Sequence, residues 1–347
     1  MEALWFWLVA FMLTAYVILD GFDLGAGALH LLVARNDAER NQILASVGPV
    51  WDGNEVWLIA GGGVLYFAFP KLYASGFSGF YLPLMIVLWL LILRALAIEF
   101  RNLVRDPAWV PFWDVALWGA SLLLTIFFGC ALGNVVRGVP MDASGVFFLP
   151  LWTNWRLGSE VGILDWYTVL VGLFAAATLI QHGALWLNYK LAGPVQERAL
   201  RIARKIWYLV VVLLIAVTLA SFAIQPQLRA RLEVYPLGYL LPILALIALA
   251  SVFVFTRTPQ RELHAFLSSC LFIGAMMLNV AHGLFPYVLP AYRQPDAGLT
   301  IYNSAAPEHG LRIGLAWWIP GIVLTIGYFV YTYRRLRGKI QPGATGH

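Results

Sequence analysis

Two pairs of carboxylates stand three residues apart inside otherwise apolar stretches: Asp20 and Asp23 in DGFD, and Asp52 and Glu55 in PVWDGNEVWL. A charge at the centre of a bilayer costs about 2.5 to 3.5 kcal/mol on insertion scales, so acids clustered in such stretches point to function. Residues at i and i+3 share a helix face, so each pair lines one side of its helix. Protonatable groups kept in a bundle interior are the ingredients of a proton-conducting chain. Arg94, Glu99 and Asp114 fall in the same half of the first four apolar runs, which gathers six carboxylates and one arginine there. Trp51 and Trp57 flank the second acid pair, in a packing role or as gates for water. A plainer reading stays open, with Asp52, Glu99 and Asp114 as caps and anchors at headgroup level and Asp20 or Asp23 paired with Arg94.

The elements that must position these groups are apolar helices. Hydrophobic residues make up 61% of the 347 positions and charged residues 12%, whereas soluble domains are about a quarter charged. The chain is therefore read as an all-α polytopic membrane protein. Its net charge of +5 does not indicate nucleic acid, because the 23 Lys and Arg lie scattered between apolar runs instead of forming a stripe. Runs of about 20 apolar residues, the length that crosses a bilayer, are expected at 4–33, 51–69, 77–98, 112–136, 161–188, 206–224, 236–256, 264–289 and 313–333. The opening MEALWFWLVAF lacks a positive n-region and a cleavage site, and is expected to be a retained first span.

Nine spans place the termini on opposite sides. One side would carry fifteen cations: Arg35, Arg40, Arg101, Arg105, Lys190, Arg198, Arg201, Arg204, Lys205, Arg257, Arg261, Arg334, Arg335, Arg337 and Lys339. The other would carry seven, Lys71, Arg137, Arg156, Arg229, Arg231, Arg293 and Arg312. By the positive-inside rule the amino terminus is outside and the carboxyl terminus cytoplasmic. A faint echo between the ends of spans one and five, each running into a polar segment with a central Glu-Arg, fits two four-helix bundles, 1–140 and 141–290, with a peripheral ninth helix and tail in 291–347.

At 1.5 Å per residue Asp20 lies about 24 Å along its helix from Leu4 and about 20 Å from Val33, and Asp23 is one turn nearer the cytoplasm. The glycines of GAG at 25–27 and GGG at 61–63 are expected to let helix backbones approach. Cys130 and Cys270 read as core residues. His182 and His282 could each ligate haem iron, but one sits about 9 Å from the inner end of span five and the other about 12 Å from the outer end of span eight. That difference in depth argues against one haem shared between them, and no other metal-ligating spacing occurs. Two further classes stay open: an ion-coupled transporter using Asp20 and Asp23, disfavoured because the acids occupy one half only, and a haem-bearing membrane anchor.

DGFDLGAG at 20–27, RNDAER at 35–40, GPVWDGNEVWLI at 48–59, YLPLMI followed by LRALAIEFR at 93–101, GNVVRGVP at 133–140, FPYVLP at 285–290 and LTIYNSAAP at 299–307 together resemble subunit II of the cytochrome bd-type quinol oxidases. The resemblance spans nearly the whole chain. It implies a bacterial inner-membrane terminal oxidase that oxidises quinol and reduces dioxygen to water without pumping protons. It also implies haem b, haem d and the quinol site in a homologous subunit I, none bound directly by this chain, and a small single-helix subunit beside the pair. Some members hold a structural quinone in subunit II. By position, Asp52 resembles the cytoplasmic mouth of a proton path to subunit I, and Asp20, Asp23 and Arg94 match positions tied to assembly or proton delivery.

Overall fold

A computed structural model describes residues 1–104, 106–142, 144–294 and 297–342. Arg105, one of the fifteen cations counted above, and the tail beyond 342 lie outside the described residues. The first half comprises α1 (Glu2–Val33), α2 (Asp37–Val47), α3 (Trp51–Ala68), α4 (Pro70–Gly79), α5 (Tyr81–Phe100) and α6 (Trp109–Arg137). The second comprises α7 (Trp166–Lys190), α8 (Pro194–Ile224), α9 (Gln227–Val234), a 3₁₀ turn at Pro236–Tyr239 leading into α10 (Leu240–Phe255), and α11 (Glu262–Leu284). A two-stranded antiparallel ribbon, β1 (Tyr287–Leu289) with β2 (Leu299–Thr300), and the short α12 (Ile301–Ser304) lead to α13 (Glu308–Arg335).

Local chemistry sets many of these limits. Asn36 caps α2 by accepting the Glu39 N–H at 2.9 Å. Pro70 and Pro194 open α4 and α8 at a first-turn position where no amide donor is needed. Asp165 caps α7 and makes a reciprocal capping box with Thr168.

Among the described residues, eight helical stretches are long and apolar enough to cross a membrane: α1, α5, α6, α7, α8, 236–255, α11 and α13. α3, the second expected run, is 18 residues long and carries Asp52, Glu55 and four glycines, which dilute its apolar character. The third expected run, 77–98, divides at Phe80 between α4 and α5. The sixth begins twelve residues early because α8 runs unbroken from Pro194 through its charged first turns. The eighth ends at Leu284, where Phe285-Pro286 follows and the chain turns into β1.

α1 and α7 form the centre. α1 packs on α3, α6, α7 and α11, and α7 also packs on α6, α8 and α11. In the most apolar stretch of α7, 72% of residues are buried; in that of α13 none is, so α13 lies on the outside. Gly25 and Gly183 meet backbone to backbone where α1 crosses α7, and a Cβ on either would overlap the other helix. Gly129 and Gly172 do the same for α6 and α7, and Gly27 rests against Ser121 of α6. The expectation for GGG is corrected: Gly61 touches Leu13, but Gly62 and Gly63 have nothing within 4 Å, since they sit on the outward side of α3.

Candidate functional site

Asp20 and Asp23 both point from α1 into the protein, with 0% and 3% of their surface exposed. Asp20 is met by Arg94 of α5, itself 1% exposed, whose guanidinium works as a fork. One arm donates to Asp20 Oδ1 at 2.7 Å and the other to Glu55 Oε2 of α3 at 2.7 Å. Lysine, a single point charge, could not span both carboxylates in this way. Asp23 takes a different partner: Asn54 Nδ2 donates to its Oδ2 at 2.7 Å, and Tyr333 of α13 donates its hydroxyl to Asn54 Oδ1 at 2.9 Å. Asp20 Oδ2 and Asp23 Oδ1, both buried, have no partner. Three carboxyl groups on two helices thus share one cation.

Asp52 stands one turn from Glu55 at the start of α3 with its side chain exposed. Side-chain exposure falls from there to 19% at Glu55 and 0% at Asp20, so the acids run from surface to interior. Glu99, near the end of α5, is exposed and accepts from Trp51 Nε1 at 3.3 Å. Trp57 is buried between Phe11 and Phe329, with ring centroids 6.1 and 5.8 Å away.

Asp114 belongs to a separate centre. It is 1% exposed and is held by His30 Nε2 at 2.6 Å, Arg101 Nε at 2.6 Å and Arg40 Nη1 at 3.0 Å. Arg101 reaches on to Asn41 at 2.7 Å and to Asp37, which ties the start of α2 to the end of α5. His30 lies ten residues beyond Asp20 on α1, about 15 Å along the axis. The six carboxylates that the sequence gathers into one half are therefore two polar centres plus the surface-facing Asp52 and Glu99. Asp114 is a buried ion-pair residue, not an exposed anchor. The Arg101–Asp114 ion pair and the His30–Asp114 hydrogen bond were not legible in the sequence, because they join residues 13 and 84 positions apart.

At the opposite end, Asp165, at the start of α7, pairs with Arg137. Both side chains are fully buried, and Arg137 also donates to Asn134 at 2.6 Å and to the Gly162 carbonyl at 3.0 Å.

The histidines do not form a joint metal site. His182 is fully buried and uses both ring nitrogens, with Ser269 Oγ 2.7 Å from Nδ1 and the Ile18 carbonyl 2.9 Å from Nε2. His282 is in the last turn of α11 and not about 12 Å inside it, and its Nε2 faces Gly238. No group of three or more metal-ligating side chains occurs among the described residues. A cavity of about 210 Å³ lies between α1, α6, α7, α8, α9 and α11 with a mostly apolar wall. Its polar exceptions include Tyr167, bonded to Ser221 at 2.8 Å, and Asn279.

Residues 1–336 match the family described as cytochrome bd terminal oxidase subunit II. Similar proteins include a "Probable cytochrome oxidase subunit 2" of Haemophilus influenzae, 29% identical over 97% of this chain and 94% of that one. The "Cytochrome bd-I ubiquinol oxidase subunit 2" of Escherichia coli is 26% identical over 97% of this chain and 94% of its own length. The "Cytochrome bd ubiquinol oxidase subunit 2" of Bacillus subtilis is 29% identical over 97% and 96%. Among solved structures, the bd oxidase from Geobacillus thermodenitrificans superposes with a TM-score of 0.72 at 20% identity, covering 96% of this chain and 97% of that chain, which is a likeness of fold.

Proposed function

Because the chain belongs to the cytochrome bd terminal oxidase subunit II family, we propose that it is the non-haem subunit of a complex that oxidises quinol and reduces dioxygen to water, giving that complex scaffold and a proton path from the cytoplasm. The observation that carries the path is the graded burial of acids from Asp52 through Glu55 to Asp20, closed by the Arg94 fork.

Reducing one dioxygen to two waters consumes four protons, and two quinols release four. Drawing the first set from the cytoplasm and releasing the second outside separates charge without a pump. In this reading Asp52 takes protons at the cytoplasmic surface and passes them to Glu55 one turn along α3. Asp20 and Asp23 receive them in the interior, each with a free buried oxygen. The site has one cation for three carboxyls, and a buried charge is tolerated only where it is paired. Arg94 therefore fixes the positions of Asp20 and Glu55, and mobile protons complete the balance.

The haems and the quinol-oxidising site are assigned to subunit I. The residues of this chain do not fit a haem at His182, whose ring nitrogens are both committed. The reading also includes a small single-helix subunit, nine spans with α3 as the short one, two four-helix bundles at 1–140 and 141–290, and residues 291–347 as the outer helix and tail. It places the complex in the bacterial inner membrane with the amino terminus outside. For the structural quinone of some members, the cavity beside Tyr167 and Asn279 offers an apolar wall suited to an isoprenoid.

Asp52→Asn tests the path. The complex is expected to assemble with an unchanged haem spectrum and to consume oxygen about a hundredfold more slowly, the low side of what one positioned proton-transfer group contributes. Wild-type turnover in that variant would remove Asp52 from the route.

A further inference from the structure

The last long helix lies on the outside of the molecule, yet one of its side chains reaches the buried acids. Tyr333, in the final turns of α13, donates its hydroxyl to Asn54 Oδ1 at 2.9 Å, and Asn54, 0% exposed, donates through Nδ2 to Asp23 at 2.7 Å. The ring is held from two sides. Phe329, one turn earlier on α13, stacks on it at 6.1 Å with planes 19° apart, and Trp186 of α7 meets it edge-on at 6.3 Å. Tyr333 therefore bridges α3, α7 and α13 at the level of Asp23.

An amide is a poor proton carrier but a good orienter, because one end only donates and the other only accepts. Left alone, a buried Asn can present either end to a carboxyl group. A donor favours the ionised carboxylate, whereas the carbonyl end can bond only to the protonated acid. The Tyr333 hydroxyl can donate or accept, and in the arrangement observed it donates to the amide oxygen while the NH₂ end meets Asp23. The reverse arrangement would set the amide carbonyl against Asp23, which a carboxylate opposes, so hydroxyl and carboxylate together hold the amide one way round.

We infer that Tyr333 is a positioning residue for the proton path: through Asn54 it fixes which oxygen of Asp23 is held and leaves the other, Oδ1, to exchange protons. The inference rests on the proposed path and adds to it a control point on the outer helix. Asp23 is faced by Asp20 of its own helix, with Tyr16 beyond it, by Glu55 of α3 with Asp52 beyond it, by Arg94 of α5 and by Tyr333 of α13. α7 brings His182 near Gly21, α11 brings Cys270 near Tyr333, and α6 brings Asp114 two to three turns further along. None of these offers Asp23 the directed hydrogen bond that Asn54 gives.

The experiment is quinol-driven oxygen consumption by the intact purified complex, measured from pH 5.5 to 9 for wild type, Tyr333→Phe, Asn54→Leu, the double variant and Asp23→Asn. Tyr333→Phe removes one oxygen atom. It is expected to keep the haem content, to slow turnover about threefold to tenfold, the scale of one lost hydrogen bond, and to move the pH–rate profile. Asn54→Leu should act in the same direction and more strongly. The double variant should match Asn54→Leu alone, because the hydroxyl acts only through the amide. Additive effects, or a Tyr333→Phe profile that superposes on wild type while Asp23→Asn slows turnover, would overturn the inference and leave the path standing. Failure of Tyr333→Phe to assemble would also overturn it, since it would make the hydroxyl a structural support. Wild-type behaviour of Asp23→Asn would instead remove Asp23 from the path itself.

Discussion

Arg94 is the residue on which the buried acids depend. Removing one partner of a buried ion pair costs about 3 to 5 kcal/mol, because the remaining charge is left without compensation. Arg94→Leu strands both Asp20 and Glu55, so the complex should be recovered at a small fraction of the wild-type yield on gentle purification. Arg94→Leu combined with Asp20→Leu should recover more than Arg94→Leu alone, because one buried charge goes with its partner. Arg94→Lys should assemble partially, satisfying one carboxylate and not the other. Haem content per complex and yield from membranes separate these outcomes. DGFD, WDGNE and Arg94 were each visible as charges in apolar surroundings. A pairing of Asp20 or Asp23 with Arg94 was open from the sequence, but that Arg94 also takes Glu55, and that Asp23 hangs from Asn54, was not visible, because those bonds join residues 39 and 31 positions apart.

At the scale of elements, the crossing of α1 over α7 depends on Gly25 and Gly183. Gly183→Val puts two methyl groups into the backbone of α1. Overpacking of this kind costs about 1 to 3 kcal/mol, and more where backbone must move, so the variant should lower the detergent unfolding temperature measurably, whereas Gly62→Val, facing open space, should not. α2 is fastened by charge. Glu39 forms an ion pair with Arg198, whose Nη2 lies 2.5 Å away, and accepts from the Arg35 N–H at 2.6 Å. The Arg198 bond holds the Glu39 carboxyl below the usual range. A carboxyl with a depressed pKa stabilises the fold above its unfolded value and loses that contribution as pH falls through the folded one. Protection of the α2 amides, taken relative to their intrinsic exchange rates, should therefore be flat from pH 7 to 5 and fall below the ordinary glutamate value of about 4.3. Glu39→Gln should exchange faster at neutral pH and lose the acid-dependent step. The GAG glycines were legible as contact sites because they sit in a helix that later proves central; the GGG glycines look the same in sequence and face outward.

Across the whole molecule, the tail closes the α2 end. Ile340 exchanges backbone hydrogen bonds with both sides of the α7–α8 junction, donating to the Lys190 carbonyl at 2.7 Å and accepting from Ala192 N at 3.1 Å. Gln42 of α2, 1% exposed, donates to both the Ile340 and Ala192 carbonyls at 2.9 and 3.0 Å, and Lys190 Nζ reaches the carbonyls of Leu336 and Gly338. A chain ending at Leu336 would leave buried Gln42 and Lys190 short of partners, at about 1 to 3 kcal/mol for each unsatisfied group. It should assemble less well, while Gln42→Leu should recover part of that loss. Composition alone determined that this is a helical membrane protein, because no soluble core needs so much apolar surface, and charge in apolar surroundings marked Asp20, Asp23, Asp52, Glu55 and Arg94. Only the tertiary structure decided how they are joined. Helix periodicity tells which face a residue occupies but not which helix lies opposite, so the division of the acids into two centres, the exposure of Asp52 and the reach of Tyr333 from the outer helix to Asp23 depended on long-range packing.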